Sequence, residues 1–570
     1  MKPLLLILIC SLFCVPINAQ TISKTETDKK TDSFFKHFTE HTPGAAVTVL
    51  QNGQTVTKKN YGRAHLEHVI PFTHETPVRL VYSMGREFMS VGLAMMEADG
   101  LLSFDDKVRK YFPKLPDWSR DVTVQDLLNH ASGFDDEWSL LLLMTADMRS
   151  QVETEQVLTL LYNQPKPQVE PGKGYMYNNT DFALLRLIME AVSRQSLTDY
   201  LKVKLFDPLA MKSTLMNDDI EQIIPGLAES YYNYPFRKAR FVKFSPGGNY
   251  RMVTTADDLE KWARASENPS SIVGKAFARL YRNARPIPTY PDEKQYVFGH
   301  TTRMINGTEF IYHGGVGDSF YIVRILSKKI SVIGLGNGSN FIRPSMQLAQ
   351  SFTASKPDKN KSIFFPSEAI TLRKDEMAAY AGRYYDQRVG YNSHIPSIRY
   401  FDLKIVGDSL RFYPDSDGAS FTISAFGNDY FKNNEEGAKI QFIKSHDGSP
   451  MKMKVWMDEG SNAHFYLRKE DTVVADKKYL DQFTGQYYSP HLDYYLRIVM
   501  NKDVQLVIKR PTMPESVIEP YGKDSFKVEQ KNGSYSVYMI ASFTKDSAGN
   551  IDGFTLRDSR IMHHRFEKVK

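Results

Sequence analysis

Tyr82-Ser83-Met84-Gly85-Arg86-Glu87-Phe88 is the stretch on which the reading of the fold turns. Phe88, Val91 and Met95 recur at helical spacing behind it, so the segment opens a helix with a hydroxyl at Ser83 and a guanidinium at Arg86 one turn later on the same face. A helix start also offers unpaired backbone amides beside Ser83. Two distant segments complement it. Tyr175-Met176-Tyr177-Asn178-Asn179-Thr180 enters a helix expected over Phe182 to Val192, and Tyr177 and Asn179, two apart in an extended turn, point the same way. Tyr312-His313-Gly314-Gly315-Val316 precedes a strand expected from Tyr321, and its glycines allow the close approach of a substrate backbone. Acyl transfer to a serine needs a nucleophile, a base within hydrogen-bond reach and backbone donors around the developing oxyanion, and these three segments offer candidates for each.

Each segment alone is common, but their order, separations and surroundings are specific. Leu101-Leu102-Ser103-Phe104-Asp105-Asp106, then Thr123-Val124-Gln125-Asp126-Leu127-Leu128-Asn129-His130-Ala131-Ser132-Gly133, and later Gly247-Gly248 followed by Thr254-Thr255-Ala256-Asp257-Asp258-Leu259 complete the pattern. Across residues 32 to 352 the chain resembles the β-lactamase-related serine hydrolases, the group of class C β-lactamases, D-Ala-D-Ala carboxypeptidases and related esterases. The resemblance implies an α+β, β-lactamase/transpeptidase-like domain, an antiparallel sheet flanked by helices. It implies Ser83 as nucleophile and Arg86 in the place of the lysine of Ser-x-x-Lys. Tyr177 and Asn179 then form the Tyr-x-Asn element, His313 and Gly315 fall on the His/Lys-x-Gly element, and the amides of Ser83 and Val316 become the oxyanion donors. His130 lies in a segment the family uses for scaffolding and is read as a buried structural histidine.

Arginine at position 86 changes the chemistry. A lysine there can lose a proton, whereas a guanidinium stays charged and only donates, so Arg86 is excluded as general base. Tyr177 remains. A phenol needs about 4 kcal/mol of stabilisation of its anion to be half ionised near neutral pH. A fixed charge about 4 Å away at an effective dielectric of about 20 supplies roughly that amount, with desolvation opposing. The residues support two readings: a serine hydrolase acting on a peptide, amide or ester through a Ser83 acyl-enzyme, or a catalytically inactive relative that binds cell-wall peptides or a protein partner. The first is preferred because the other elements are intact. β-Lactam, D-amino peptide and simple ester all stay open as substrates.

Outward from these motifs, Ala45 to Leu50, Asn52-Gly53 and Gln54 to Thr57 form a β-hairpin pattern. Tyr321 to Leu326 and Ile330 to Leu335 flank the turn Ser327-Lys328-Lys329, so strands at both ends with helices between predict one antiparallel sheet carrying a helical insert. A polar linker begins at Ala354, and the chain beyond it carries an internal repeat. Tyr380-Ala381-Gly382-Arg383-Tyr384-Tyr385 is echoed by Phe483-Thr484-Gly485-Gln486-Tyr487-Tyr488, and Leu403-Lys404-Ile405 by Leu496-Arg497-Ile498. Each unit closes on an aromatic and basic stretch, Phe465 to Lys469 and Arg565 to Lys568. Alternating strands predict two small antiparallel β-barrels, which loosely resemble lipocalin-like accessory modules. The expected organisation is a signal peptide over 1–19, the hydrolase-like domain over 20–353, a linker over 354–366 and barrel modules over 367–470 and 471–570. The modules' role is open between walling the cleft, self-association and binding a surface.

Met1-Lys2, an apolar run from Leu4 to Ile17 and Asn18-Ala19-Gln20 have the charge, apolar core and small-residue order of a secretory signal, with cleavage expected after Ala19 and a periplasmic or extracellular destination. The run is shorter than a spanning helix needs, and no later segment is apolar enough to span. Cys10 and Cys14, the only two cysteines, lie inside it, which leaves the remaining chain without disulfides or thiolate metal sites. Neither follows a small residue, which argues against a lipid anchor. A hydrophobic content of 42% suits packed cores, and a net charge of +6 spread over 72 basic and 66 acidic residues gives no case for nucleic acid. No metal or organic cofactor is implied, and His563-His564 is read as a surface pair.

Overall fold

Asn52 and Gly53 both take positive φ, 51° and 70°, and form the tight turn that joins the strands Ala45–Gln51 and Gln54–Tyr61. The computed structural model describes residues 21–569 apart from 82, 84, 145–152, 218–221, 233–235, 239–250, 283–286, 289–293, 306, 315–319, 339–341, 354–365, 367, 387–399, 415–419, 428, 434–438, 445–450, 457–463, 469–475, 512, 523, 533–534 and 559. The signal segment, Gly247-Gly248, Gly315, Val316 and nearly all of the linker therefore lie outside the described residues.

The hairpin lies at one end of an eight-stranded antiparallel sheet. From the far edge its order is Ile287–Pro288, Lys294–Val297, His300–Ile305, Thr308–Gly314, Phe320–Ile325, Ile330–Gly336, Ala45–Gln51 and Gln54–Tyr61. Ala45–Gln51 is buried at every position because neighbours pair with both its edges and helices cover both its faces. Side chains alternate accordingly: Val47, Val49, Val323 and Val332 pack toward helices Lys24–Phe35 and Ile342–Gln350, whereas Ala46, Leu50, Ile322 and Ile333 face the helical insert.

Within the insert, helix Gly85–Ala98 is enclosed on nearly all sides, so the stripe of Phe88, Val91 and Met95 is only part of its buried surface. One acid on it is pinned to the sheet. Glu87 accepts from Trp262 Nε1 at 2.6 Å and Arg324 Nη2 at 2.5 Å and faces His300 Nε2 at 3.3 Å. Burial opposes its charge, but the Arg324 guanidinium and His300 hold the carboxyl well below its ordinary range.

Each C-terminal unit is an eight-stranded meander closed by pairing of its first strand with its last: Gly382–Asp386 with His464–Arg468, and Gly485–Ser489 with His564–Lys568. The repeated motif is a corner. Tyr384 Oη donates to the Tyr380 carbonyl and Tyr487 Oη to the Phe483 carbonyl, both at 2.7 Å, which ties the first strand back to the short helix before it. Gly382 and Gly485 sit in this corner at φ 144° and 146°, a conformation open to glycine.

One histidine departs from its expected place. His563 is exposed, but His564 is buried and its Nε2 lies 2.9 Å from Ser489 Oγ. The alternation of the closing strand turns it into the barrel, where burial pushes its imidazole down to about 3. Chain order is not packing order either. The first barrel has a core of its own, whereas the core of the second is continuous with that of the hydrolase-like part. His491 Nε2 donates to the Leu160 carbonyl at 2.8 Å, and the Met562 amide donates to Gln168 Oε1 at 2.6 Å. Among the described residues no helix is long and apolar enough to cross a membrane.

Replacing Arg324 with Met would strand the buried Glu87 carboxylate, and denaturant unfolding should show a loss of about 3–5 kcal/mol. The double variant Glu87→Met/Arg324→Met should recover most of it.

Candidate active site

A short strand, Val78–Val81, is held in a three-stranded sheet with Arg251–Thr254 and Leu215–Met216 and runs directly into helix Gly85–Ala98. Ser83 is at the junction, its carbonyl accepting from the Arg86 amide at 3.3 Å. Asn179 stands at the start of the helix Thr180–Ser193 without a side-chain cap bond, and its backbone amide donates to Asp136 Oδ2 at 2.7 Å, which fixes the turn carrying Tyr177. The two elements meet: Ser83 Oγ lies 2.5 Å from Tyr177 Oη.

Arg86 is completely buried beneath this pair. Its guanidinium carbon lies 4.2 Å from the Tyr177 ring centroid and 4.9 Å from that of Phe182. Nη2 donates to Asn179 Oδ1 at 2.7 Å and Nη1 lies 3.2 Å from His130 Nε2. The guanidinium therefore stacks on the face of the phenol and also locks the Asn179 amide.

His130 is buried, as the sequence indicates, but it is part of this cluster and not remote scaffolding. Burial drives its imidazole well below the ordinary value, and the Arg86 and Arg560 charges push the same way. Because guanidinium only donates, Nε2 is an acceptor and the ring proton belongs on Nδ1, which faces Asp181 Oδ2 at 3.0 Å. Asp181 also accepts from Ser132 Oγ at 2.5 Å and Asn178 Nδ2 at 2.9 Å. Burial raises its carboxyl well above the usual range, against the pull of those donors and of Arg86. Tyr296 closes the cluster, 4.7 Å from the His130 ring and 5.9 Å from that of Tyr177, and burial raises its phenol far above the ordinary value.

His313 is buried at the penultimate position of the strand Thr308–Gly314, within electrostatic range of His130. Gly314 is required there, since a Cβ would come within 2.5 Å of the Tyr321 ring. The structure thus brings Ser83, Arg86, Tyr177 and Asn179 into direct contact and His313 into electrostatic range. Reading the sequence passed over the contacts of His130, as well as Asp181, Tyr296 and the run Asp135-Asp136-Glu137. A usable signal existed for Asp181, an acid in the first turn of the helix that Tyr177 and Asn179 lead into.

A serine hydroxyl paired with a phenol at a helix start, over a buried cation, is an arrangement suited to acyl transfer on a serine. The Beta-lactamase family model matches residues 31–350, and the chain belongs to that family. It is 28% identical over 175 residues to penicillin-binding protein 4* of Bacillus subtilis (strain 168), covering 31% of this chain and 38% of that protein. It is 24% identical over 362 residues to D-aminopeptidase of Gluconobacter oxydans (strain 621H), covering 62% and 65%. The chain thus spans less than two thirds of either relative. Among solved structures, an octameric penicillin-binding protein homologue from Pyrococcus abyssi matches with a TM-score of 0.52 at 20% identity, over 78% of this chain and all of that one. A class C beta-lactamase in complex with cefoxitin matches with 0.50 at 20% identity, over 58% and 99%.

The acids under the site carry a pH dependence. Burial pushes Asp135 up to about 8 and Asp558, from the docked barrel, up to about 6. His491, with its proton on Nε2, presents Nδ1 to Asp135 Oδ2 at 3.7 Å, which suits a protonated carboxyl. In the unfolded chain both acids ionise near pH 4, but the buried His130 and His564 lose protons on folding and oppose them below about pH 6.5, so Asp135 sets the trend above that point: there the folded form holds the extra proton and stability falls as pH rises, levelling above about 8. Thermal unfolding from pH 6.5 to 9 should show this decline, at about 1 kcal/mol per pH unit up to pH 8, and Asp135→Asn should flatten it.

Proposed function

We propose that the chain is an exported serine hydrolase that cleaves a peptide, amide or ester through an acyl-enzyme on Ser83, with Arg86 standing where the family pattern has lysine. The observation that carries this reading is the 2.5 Å contact between Ser83 Oγ and Tyr177 Oη, made directly over the buried Arg86 guanidinium. Ser83 Oγ attacks the substrate carbonyl carbon. Its proton passes to the Tyr177 oxygen as the phenol gives its own to the departing nitrogen or oxygen, so charge balances without a free phenolate. Water then attacks the acyl carbon, and the same relay runs in reverse to return the proton to Ser83. Arg86 takes no proton in this scheme; it fixes the Tyr177 ring and Asn179 and favours negative charge developing above them.

Export rests on the N-terminal segment, and an amide-type substrate is supported by the named relatives. The octameric Pyrococcus homologue supports self-association.

A serine-directed acylating probe tests the reading. Wild type should be labelled and Ser83→Ala should not; Tyr177→Phe should slow labelling by about 100-fold or more, the usual contribution of positioned proton transfer. Arg86→Lys should label at least as fast as wild type, since lysine adds a proton acceptor. Labelling of Ser83→Ala equal to wild type would leave the inactive, ligand-binding alternative in its place.

A further inference from the structure

The two barrels share a fold and differ in how they carry charge. The third to seventh strands of the first, Ser409–Pro414, Phe421–Ala425, Tyr430–Asn433, Lys439–Ile443 and Lys452–Trp456, hold five cations, Arg411, Lys432, Lys439, Lys452 and Lys454, and no acid. Strand alternation sends Phe412, Phe431, Ile440 and Met453 into the core, so the cations, each one position away from these, stand on the outer wall. Lys432 is directly opposite Lys439, Lys439 opposite Trp456, and Ile443 opposite Lys452. Like charges directly opposite one another destabilise a sheet.

The fold does not require such a wall. The corresponding strands of the second barrel, Leu506–Arg510, Met513–Gly522, Ser525–Asn532, Tyr535–Lys545 and Ile551–Arg557, hold four acids, Glu515, Glu519, Glu529 and Asp552. There Lys509 Nζ lies 2.7 Å from Glu515 Oε1 and Lys527 stands opposite Glu519. In the first barrel Asp402 is taken by Arg383 and Lys404, and Asp429 by Lys444 and Tyr380. Cations set at strand spacing, about 5 Å apart, match a polymer that repeats its negative charge, whereas a single small anion needs an enclosing pocket. Trp456 and Ile443 sit half-buried in the same rows. Their apolar surface suits the face of a sugar ring and is too recessed to enter a bilayer, which takes projecting aromatic and aliphatic side chains. The wall also belongs to the barrel whose core is separate from that of the hydrolase-like part.

We propose that this wall of the first barrel binds an acidic polysaccharide and so holds the hydrolase-like part beside an anionic glycan. The proposal rests on the export reading for where such a polymer is met, but the wall is testable without it. The full chain is titrated with polygalacturonate and with its methyl ester, which keeps the sugar and loses the charge. Polygalacturonate should bind about tenfold or more tightly than the ester, with an advantage that shrinks as salt rises. Lys432→Gln/Lys452→Gln should weaken that binding by about tenfold, and Trp456→Ala should weaken it further, whereas Lys509→Gln/Lys527→Gln in the second barrel should leave it unchanged. Each variant should keep the wild-type unfolding profile and Ser83 labelling. Equal binding of polygalacturonate and ester, no binding of either, or undiminished binding by Lys432→Gln/Lys452→Gln would overturn the proposal. Tighter binding to single-stranded DNA or to phosphatidylglycerol vesicles would overturn it too, by assigning the wall another class of partner. Recovery of the chain from the cytoplasmic fraction of its own cells would instead overturn the export reading.

Discussion

A positive charge sealed away from water at the base of the cleft dictates what may surround it. An unpaired buried guanidinium would cost several kcal/mol, so Arg86 must be met by acceptors and aromatic faces. Asn179 Oδ1 and His130 Nε2 meet it as acceptors, and the rings of Tyr177 and Phe182 turn their faces to it. The demand then propagates. His130 can accept only as the neutral tautomer with its proton on Nδ1, and that proton needs Asp181, which Ser132 and Asn178 hold in turn. The Tyr177 phenol stands beside Ser83 because its ring is one wall of this cation site.

The same logic explains the docked barrel. Asp135, Asp136 and Glu137 lie buried under the Tyr177 turn, where Asp136 accepts from the Asn179 backbone amide and Glu137 from the Thr180 hydroxyl. Acids there need cover and donors, and the second barrel supplies both through His491, Arg560 and the amides that hold Gln168 in place. The barrels share a corner motif, yet only the second has its core merged with the hydrolase-like part. Shared folding instructions and distinct docking surfaces are separable properties of a repeated unit.

Local rules made much of this legible in the sequence. The Asn52-Gly53 hairpin, the strands on either side of Lys329 and the helix after Ser83 each follow from turn chemistry and periodicity within a dozen residues. The repeat exposed both barrels because Tyr384 and Tyr487 bond within their own unit, four residues back. Contacts made by folding distant segments together were not readable. His130 meets Arg86 across 44 positions, and Arg560 meets Asp136 across 424. No spacing rule encodes such pairs. Asp135-Asp136-Glu137 has the composition of a solvated loop, and only the tertiary structure turns it into a buried floor. His564 shows the reverse: a polar pair looks superficial until strand alternation sends one member inward.

Arginine at position 86 gives the site a different division of labour from the one a lysine would allow. An ammonium combines charge with a proton it can release, so one residue can both stabilise and shuttle. Guanidinium keeps the charge and gives up the shuttle, so in the proposed reaction proton movement falls to the Tyr177 oxygen. Of the other titratable groups in the cluster, His130 is spent on accepting from Arg86, and burial leaves Tyr296 a neutral phenol. The orientation of a single phenol therefore governs the chemistry. The cluster braces that ring from several directions, with Arg86 on its face, His130 and Tyr296 beside it, and Arg560 arriving from a separate barrel. Losing any brace would loosen the phenol that meets the Ser83 hydroxyl.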